Sequence, residues 1–111
     1  MKSFFTKVVG VTFPNEDGSS RQDIIGGLID SLDKGDIPLS LERQLNNQHD
    51  PNAVAVRSPS GKQLGFLSKQ VSETIAPILD DGTEVEAKAI TITGGWPMHY
   101  GVNIHLSYKA A

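Results

Sequence analysis

The stretch Asn47-Gln48-His49-Asp50-Pro51-Asn52-Ala53-Val54-Ala55-Val56 decides the fold of this chain. Its first six residues favour a turn, because Asn and Asp side chains bond their own backbone and Pro fixes φ. The small or β-branched apolar residues that follow predict a short strand that begins at Ala53. Ser58-Pro59-Ser60-Gly61 then turns the chain back into Gln63-Leu64-Gly65-Phe66-Leu67. The two apolar runs are therefore expected to pair as a hairpin.

Alternating apolar residues predict four further strands. One lies at residues 37–41, and two longer ones are expected near residues 83–93 and 100–108. In the last strand, one face is expected to be buried and consists of Val102, Ile104, Leu106 and Tyr108. In the first strand, residues 4–13, the inward face is expected to consist of Phe5, Val9, Val11 and Phe13.

Residues 20–33 have apolar positions at intervals of three and four, which predicts an amphipathic helix. Ser19 is its expected N-cap, and Gln22, three residues later, completes a capping box. Gly26-Gly27 within this segment lowers the helix propensity and is expected to allow close packing on a sheet.

A second helix is expected to begin at Ser68 or Ser72. Pro77 is expected to break or restart it, because proline lacks the backbone N–H and clashes with the preceding turn. About six strands with two short helices predict a mostly β (α+β) fold, a small OB-like or SH3-like six-stranded barrel. Residues 1–111 are expected to form a single domain.

The composition restricts the possible functions. The chain has no cysteine, which excludes disulfides, thiolate metal ligands and cysteine nucleophiles. The N-terminal residues contain no long apolar run, so neither a secretory signal nor a membrane span is expected. The expected location is therefore the cytoplasm. The net charge of −3 does not suit a protein that coats duplex DNA, which must neutralise many phosphates. A single strand end needs only a few lysines and aromatic rings.

The turn and strand at residues 47–56 resemble those of the HIRAN family. The segment Gly61-Lys62-Gln63-Leu64-Gly65-Phe66-Leu67 with Lys69 fits the second half of the same pattern. Residues 8–11 and 100–106 fit the two ends of the family. The resemblance is to stand-alone, bacterial-type members and spans nearly the whole chain.

This resemblance implies an OB-like barrel, a role in DNA repair and capture of a single-stranded DNA end with a free 3′-hydroxyl. The best understood members clamp the terminal bases between aromatic rings, and an aspartate in the turn contacts the hydroxyl. By position, that aspartate would be Asp50, with Asn47 as its turn partner and Lys69 as a phosphate contact. Phe13 and Tyr100 would be the stacking platforms.

The chain departs from that group of relatives at three positions. Thr12 stands where they have an arginine, His49 replaces the aromatic residue of the turn, and Phe66 replaces a histidine. The predicted nucleic-acid-binding residues are Phe13, Asn47, His49, Asp50, Phe66, Lys69 and Tyr100.

Three of these residues also have structural interpretations. Asp50 can cap its own turn, and this role is compatible with ligand binding if one oxygen faces outward. His49 can be a solvated turn residue, a stacking ring or a metal ligand. Lys69 can be a solvated charge, or a phosphate contact reinforced by the N–H groups of the helix that it begins.

The aromatic residues have similar alternatives. Phe13 ends an apolar face and can belong to the core, or it can be exposed beside the following loop. Tyr100 shares the parity of the buried residues in its strand and would therefore face inward, unless a bulge at Gly101 changes the side to which it points. Trp96 lies between glycines and a proline, where it can anchor a partner or cover one end of the barrel. A protein or peptide interaction module is therefore the alternative function.

No catalytic activity, cofactor or metal is expected. A metal hydrolase would need the histidines and carboxylates of different elements to converge, and no H-x-H or H-E-x-x-H spacing is present. The chain also lacks the G-x-S-x-G elbow of serine hydrolases.

Overall fold

The strands predicted around the hairpin and towards both ends of the chain are present. A computed structural model describes residues 1–109, which form six strands and three helices. In chain order these are β1 (Lys2–Val9), α1 (Arg21–Gly26), α2 (Ile29–Leu32), β2 (Ile37–Arg43), β3 (Val54–Arg57), β4 (Gln63–Leu67), α3 (Lys69–Asp80), β5 (Val85–Gly95) and β6 (Met98–Tyr108).

The six strands close into one antiparallel barrel in the order β1-β4-β3-β2-β5-β6. β1 closes the barrel because it pairs with β6 through residues 2–7 and with β4 through Val8 and Val9. The predicted barrel and the β3–β4 hairpin are therefore confirmed.

The centre of the barrel is filled by inward-facing apolar side chains of several strands. Val54, Val56, Leu64, Ile104 and Leu106 are each 0% exposed. The predicted buried face of the last strand is confirmed, because all four of its residues are buried.

The inward face of β1 is the opposite of the predicted one. Phe4 packs against the core and Val8 is buried, whereas Phe5 is 72% exposed and Val9 is 41% exposed. The pairing explains the difference: Phe4 lies opposite Leu106, and directly opposed residues point to the same side of a sheet. Phe and Val occur on both faces of this strand, so the alternation of apolar residues could not show which face is buried. The strand also ends four residues earlier than predicted.

The helix predicted over residues 20–33 is divided into α1 and α2 after Gly26-Gly27. Each glycine costs about 1 kcal/mol of helix propensity relative to alanine, which explains the interruption. Ser20 is the N-cap instead of Ser19. Gln22 does not close a capping box, because its side chain binds β6.

α3 begins after Ser68, whose Oγ accepts the N–H of Val71 at 3.2 Å. The predicted break at Pro77 is wrong, because the 12-residue helix α3 continues through Pro77 to Asp80. Pro77 is exposed, and the buried Ile75 and Ala76 anchor the helix on the barrel. A carbonyl that lacks its helical donor on the exposed side can bond water instead. Among residues 1–109, none of the helices has the length and apolar character needed to cross a membrane.

Candidate functional site

The turn before β3 is held by its own side chains. The Oδ1 of Asn47 accepts the N–H of His49 at 2.9 Å and that of Asp50 at 3.0 Å. The Nδ2 of Asn47 donates to Gln44 Oε1 at 3.1 Å. Asp50 Oδ1 accepts the N–H of Asn52 at 2.9 Å. The turn is therefore preformed and needs no ligand to order it.

Asp50 retains one carboxylate oxygen that the turn does not use. Its Oδ2 has no hydrogen-bond partner among residues 1–109, whereas Oδ1 serves the backbone. Every buried side-chain nitrogen or oxygen in that range has a partner, so Oδ2 is in contact with solvent. The turn role of Asp50 and an outward-facing oxygen therefore coexist.

Phe13, Phe66 and Arg21 converge above Gly10 at the end of β1. A Cβ added to Gly10 would lie 3.9 Å from Phe13 Cδ2, 3.6 Å from Phe66 Cδ2 and 3.4 Å from Arg21 Nη1. Phe13 is 66% exposed and does not belong to the core. Phe66 is half-buried, and the Cζ of Arg21 lies 5.2 Å from its ring centroid. Two aromatic rings and one cation thus surround a single glycine.

Gln22 links Tyr100 to the segment that follows β1. Its Oε1 accepts the N–H of Tyr100 at 2.6 Å. Its Nε2 donates to the carbonyl oxygens of Val11 at 2.9 Å and Tyr100 at 3.0 Å. The Tyr100 ring is half-buried against the core and lies so close to Gly26 that a Cβ there would be 3.0 Å from Cε2. Tyr100 is therefore held beside the segment that leads to Phe13, with only part of its ring exposed.

A groove of about 690 Å³ opens beside Phe66. One wall is the loop before α1, and the other is formed by β2 and the turn that follows it. We call this the Phe66 groove, and it is lined by Asn15, Glu16, Asp17, Ser19, Arg21, Glu42, Gln44, Asn47, His49, Arg57, Gly61, Lys62, Gln63 and Phe66.

Acidic and basic side chains are balanced in the Phe66 groove, which contains Glu16, Asp17, Glu42, Arg21, Arg57 and Lys62. The Nη2 of Arg57 lies 2.9 Å from Glu42 Oε1, and this hydrogen bond holds the pKa of Glu42 below its usual value. Hydrogen bonds from the Ser19 side chain and backbone lower the pKa of Asp17 in the same way. The groove therefore does not offer the uniformly positive surface that a long polyanion requires.

The sequence model of the HIRAN domain family matches residues 1–109. The chain belongs to the HIRAN domain family. The match extends over the whole described range and confirms the resemblance predicted from the turn and hairpin. A stretch of 65 residues of this HIRAN domain is 35% identical to the helicase-like transcription factor of Oryctolagus cuniculus. That match covers 59% of this chain but only 6% of the relative.

Solved structures show the same barrel. The crystal structure of the HIRAN domain of human HLTF has a TM-score of 0.66 at 21% identity, and covers 96% of this chain and 74% of the other. The NMR structure of the HLTF HIRAN domain in its DNA-bound conformation has a TM-score of 0.60, also at 21% identity, with coverage of 96% and 73%. A protein from Lactobacillus plantarum has a TM-score of 0.62 at 18% identity, with coverage of 96% and 99%.

Three of the seven predicted binding residues of this HIRAN domain share one groove, and the other four do not line it. Asn47, His49 and Phe66 line the Phe66 groove. Asp50 does not line it but directly follows His49 in the same turn. Lys69 is exposed as the first residue of α3, three residues after Phe66 in the chain.

Arg21 and Gln22 were missed by the sequence analysis, although both connect parts of the site. In the sequence they appear only as the polar start of a helix, where a capping role is the ordinary expectation. Their long-range partners depend on how α1 lies across the barrel, which a local pattern does not record.

The side chains suggested for a metal site do not converge. Residues 1–109 contain no group of three or more His, Asp or Glu side chains placed to hold a metal ion. His105 instead packs on the outside of the barrel, with its ring centroid 4.8 Å from that of Phe5.

Proposed function

We propose that this HIRAN domain binds the end of a single DNA strand that carries a free 3′-hydroxyl, and that it acts by binding without a catalytic step. The observation that carries the proposal is the solvent-accessible Oδ2 of Asp50, held by a preformed turn next to the Phe66 groove. A DNA-bound conformation is known for the related HIRAN domain of HLTF, which supports DNA as the ligand.

The Asp50 carboxylate would accept a hydrogen bond from the terminal hydroxyl. Such a bond is charge-assisted and is therefore short and strong. A terminal phosphate has negative charge and would be repelled by the same oxygen. Because Asn47 and Asn52 already hold the turn, little conformational entropy would be lost on binding.

Aromatic stacking would supply much of the binding free energy. Phe13 exposes 66% of its surface and could stack on the last base, with Phe66, His49 and the accessible edge of Tyr100 as neighbouring contacts. Stacking contributes about 1–3 kcal/mol per base. Lys69 would contact a backbone phosphate from the first turn of α3.

Fluorescence anisotropy with labelled single strands that end in a 3′-hydroxyl or a 3′-phosphate tests the proposal. We expect the hydroxyl strand to bind at least about tenfold more tightly, the equivalent of one hydrogen bond to a charged group. Asp50→Ala should remove this difference. Asp50→Asn keeps an oxygen for the Asn52 N–H and isolates the effect of charge, and Asp33→Asn is a matched control on the exposed end of α2.

Equal affinity for the two strands would refute 3′-end recognition, even if both bound. Absence of binding to either strand at low salt would refute DNA binding altogether. Circular dichroism of each variant would separate loss of the binding group from loss of the fold.

The tip of the β5–β6 hairpin favours a protein-interaction module as a second candidate function. Trp96 is 96% exposed and Met98 is 71% exposed, so Trp96 does not cover an end of the barrel. An exposed tryptophan is a common anchor in protein interfaces. Selection of a peptide library at high salt, compared with the Trp96→Ala variant, tests this, because phosphate-driven binding weakens steeply with salt. Peptides that bind equally well to both proteins would refute the role of the tip.

A further inference from the structure

Arg21 is the only arginine buried in the described range. It is 7% exposed, yet no carboxylate oxygen lies within ion-pair distance of it among residues 1–109. Arg43 and Arg57, the other arginines, pair with Asp80 and Glu42. A buried charge without an opposite charge is costly, so the position of Arg21 needs an explanation.

Its hydrogen bonds are made only to neutral oxygens. Nε donates to Asn15 Oδ1 at 2.7 Å, and Nη1 donates to the Gly10 carbonyl at 2.9 Å. A guanidinium has five N–H bonds, so three have no acceptor within residues 1–109. Nη2 is the one guanidinium nitrogen without a partner in that range. Since every buried side-chain nitrogen there has a partner, Nη2 reaches solvent. Arg21 also lines the Phe66 groove, so this free side of the guanidinium faces an open space.

The guanidinium is held in a fixed plane. Asn15 and Gly10 restrain two of its nitrogens, and the Phe66 ring lies 5.2 Å from Cζ. A planar guanidinium with paired donors matches the oxygens of a phosphate, and little entropy is lost when it is already oriented. Burial lowers the pKa of Arg21, which fits a charge that lacks a compensating partner.

We propose that Arg21 binds a phosphate diester of the nucleic-acid strand inside the Phe66 groove, with the exposed Lys62 as a second cation on the path of the strand. This inference rests on the proposed function and extends it, because it states where the backbone next to the captured end runs. The strand would pass between the loop before α1 and the turn at Asn47. Arg57 would contribute less, because Glu42 already neutralises it.

The side-chain Nε–Hε signal of Arg21 provides a direct test on the intact chain by NMR. We expect this signal to shift with the same concentration dependence as binding of a single strand ending in a 3′-hydroxyl. The backbone amide signal of Lys34, on the exposed turn after α2, is the internal control and should not move. Arg21→Lys keeps the charge but loses the planar donors, and it should weaken binding about tenfold.

Arg21→Lys could also disturb the loop that Asn15 holds, so Lys62→Gln provides a second test at an exposed position. Removing one phosphate contact should reduce the slope of log affinity against log salt by about 0.7. Lys34→Gln, on the exposed turn after α2, should leave the slope unchanged.

The possible failures are distinguishable. If the strand binds, but neither the Arg21 signal nor the Lys62→Gln slope changes, the groove path is wrong and 3′-end capture remains. If no strand binds, the proposed function is wrong, and titration with inorganic phosphate decides the anion site alone. A saturable shift of the Arg21 signal would support that site, and an unchanged signal would refute it.

Discussion

Replacement of Gln22 perturbs the link between the two segments that carry Phe13 and Tyr100. In Gln22→Ala, the Tyr100 N–H loses its acceptor at 2.6 Å, and two carbonyl oxygens lose the donor Nε2. Leaving a buried donor unpaired costs about 1–3 kcal/mol, and an ordinary hydrogen bond contributes about 1 kcal/mol. Since Tyr100 is only half-buried, we expect a total loss of about 2–3 kcal/mol in the free energy of unfolding. For a domain of this size, that lowers Tm by roughly 10–20 °C.

Gln22→Glu is the more informative change because its shape is nearly the same. One carboxylate oxygen can still accept the Tyr100 N–H, but the other replaces Nε2 and faces the carbonyl oxygens of Val11 and Tyr100. This repulsion should raise the pKa of the introduced glutamate above its unfolded value of about 4.3. A group with a raised pKa is most favourable below its unfolded pKa, and its contribution is lost as pH rises through the folded pKa. The variant should therefore be much less stable than the native chain at neutral pH and approach it near pH 4.

Urea unfolding of the native chain, Gln22→Ala, Gln22→Glu and the exposed control Gln70→Glu at several pH values measures these differences. Gln70 lies in the first turn of α3, where a negative charge is neutral or slightly stabilising. Native-like stability of Gln22→Glu at neutral pH would show that Nε2 does not donate to the two carbonyls. Unchanged affinity for DNA in a folded Gln22→Ala variant would show that the position of Tyr100 is not needed for binding.

Three further predictions concern the barrel, the groove and the hairpin tip. Gly65→Ala would drive a Cβ into the Val9 carbonyl oxygen of β1, so overpacking and backbone strain together should destabilise the chain by about 2–4 kcal/mol in urea unfolding. In Gly18→Ala the added Cβ meets nothing within 4 Å, so only backbone strain of about 1–2 kcal/mol is expected. Glu42→Gln should release Arg57 and tighten single-strand binding several-fold in anisotropy. Because the folded state lowers the pKa of Glu42, the small stability that this ion pair provides is present above the unfolded pKa of Glu42 and is lost as pH falls through its folded pKa. This pH dependence of stability should vanish in the variant. Trp96→Ala should leave Tm unchanged, because that side chain is 96% exposed, and a clear decrease in a thermal melt would mean that the tip packs on the barrel.

Much of the barrel could be predicted because its strands carry one-sided alternation. In β6, the apolar residues share one parity and their neighbours are polar, so only one assignment of the buried face was possible. In β1, Phe4 and Phe5 are adjacent and Val8 and Val9 are adjacent, so both parities are equally apolar. Only the pairing of Phe4 with Leu106 decides which ring enters the core, and that contact joins opposite ends of the chain.

The part of the site that lies in the turn could be predicted, because its contacts are local, whereas the contacts made across the fold could not. The turn of Asn47 and Asp50 is local, and its bonds to its own backbone follow from the residue types in sequence order. Arg21 and Gln22 act on residues 11 and 78 positions away. These distant partners are backbone carbonyls and the backbone N–H of Tyr100, so no side chain of the partner marks the contact in the sequence.

The charge balance of the Phe66 groove also limits which DNA ligand the proposed function can serve. A strand that ran through the groove and beyond would bring several phosphates close to Glu16 and Glu42, and each such approach would oppose binding. A strand that ends near Asp50 would bring only one or two phosphates, which Arg21 and Lys62 would neutralise in the proposed path. The outward oxygen of Asp50 adds a further restriction, because it attracts a hydroxyl and repels a phosphate. In this proposal, the acidic residues that would oppose a long strand are therefore the ones that would restrict the domain to a hydroxyl-bearing end.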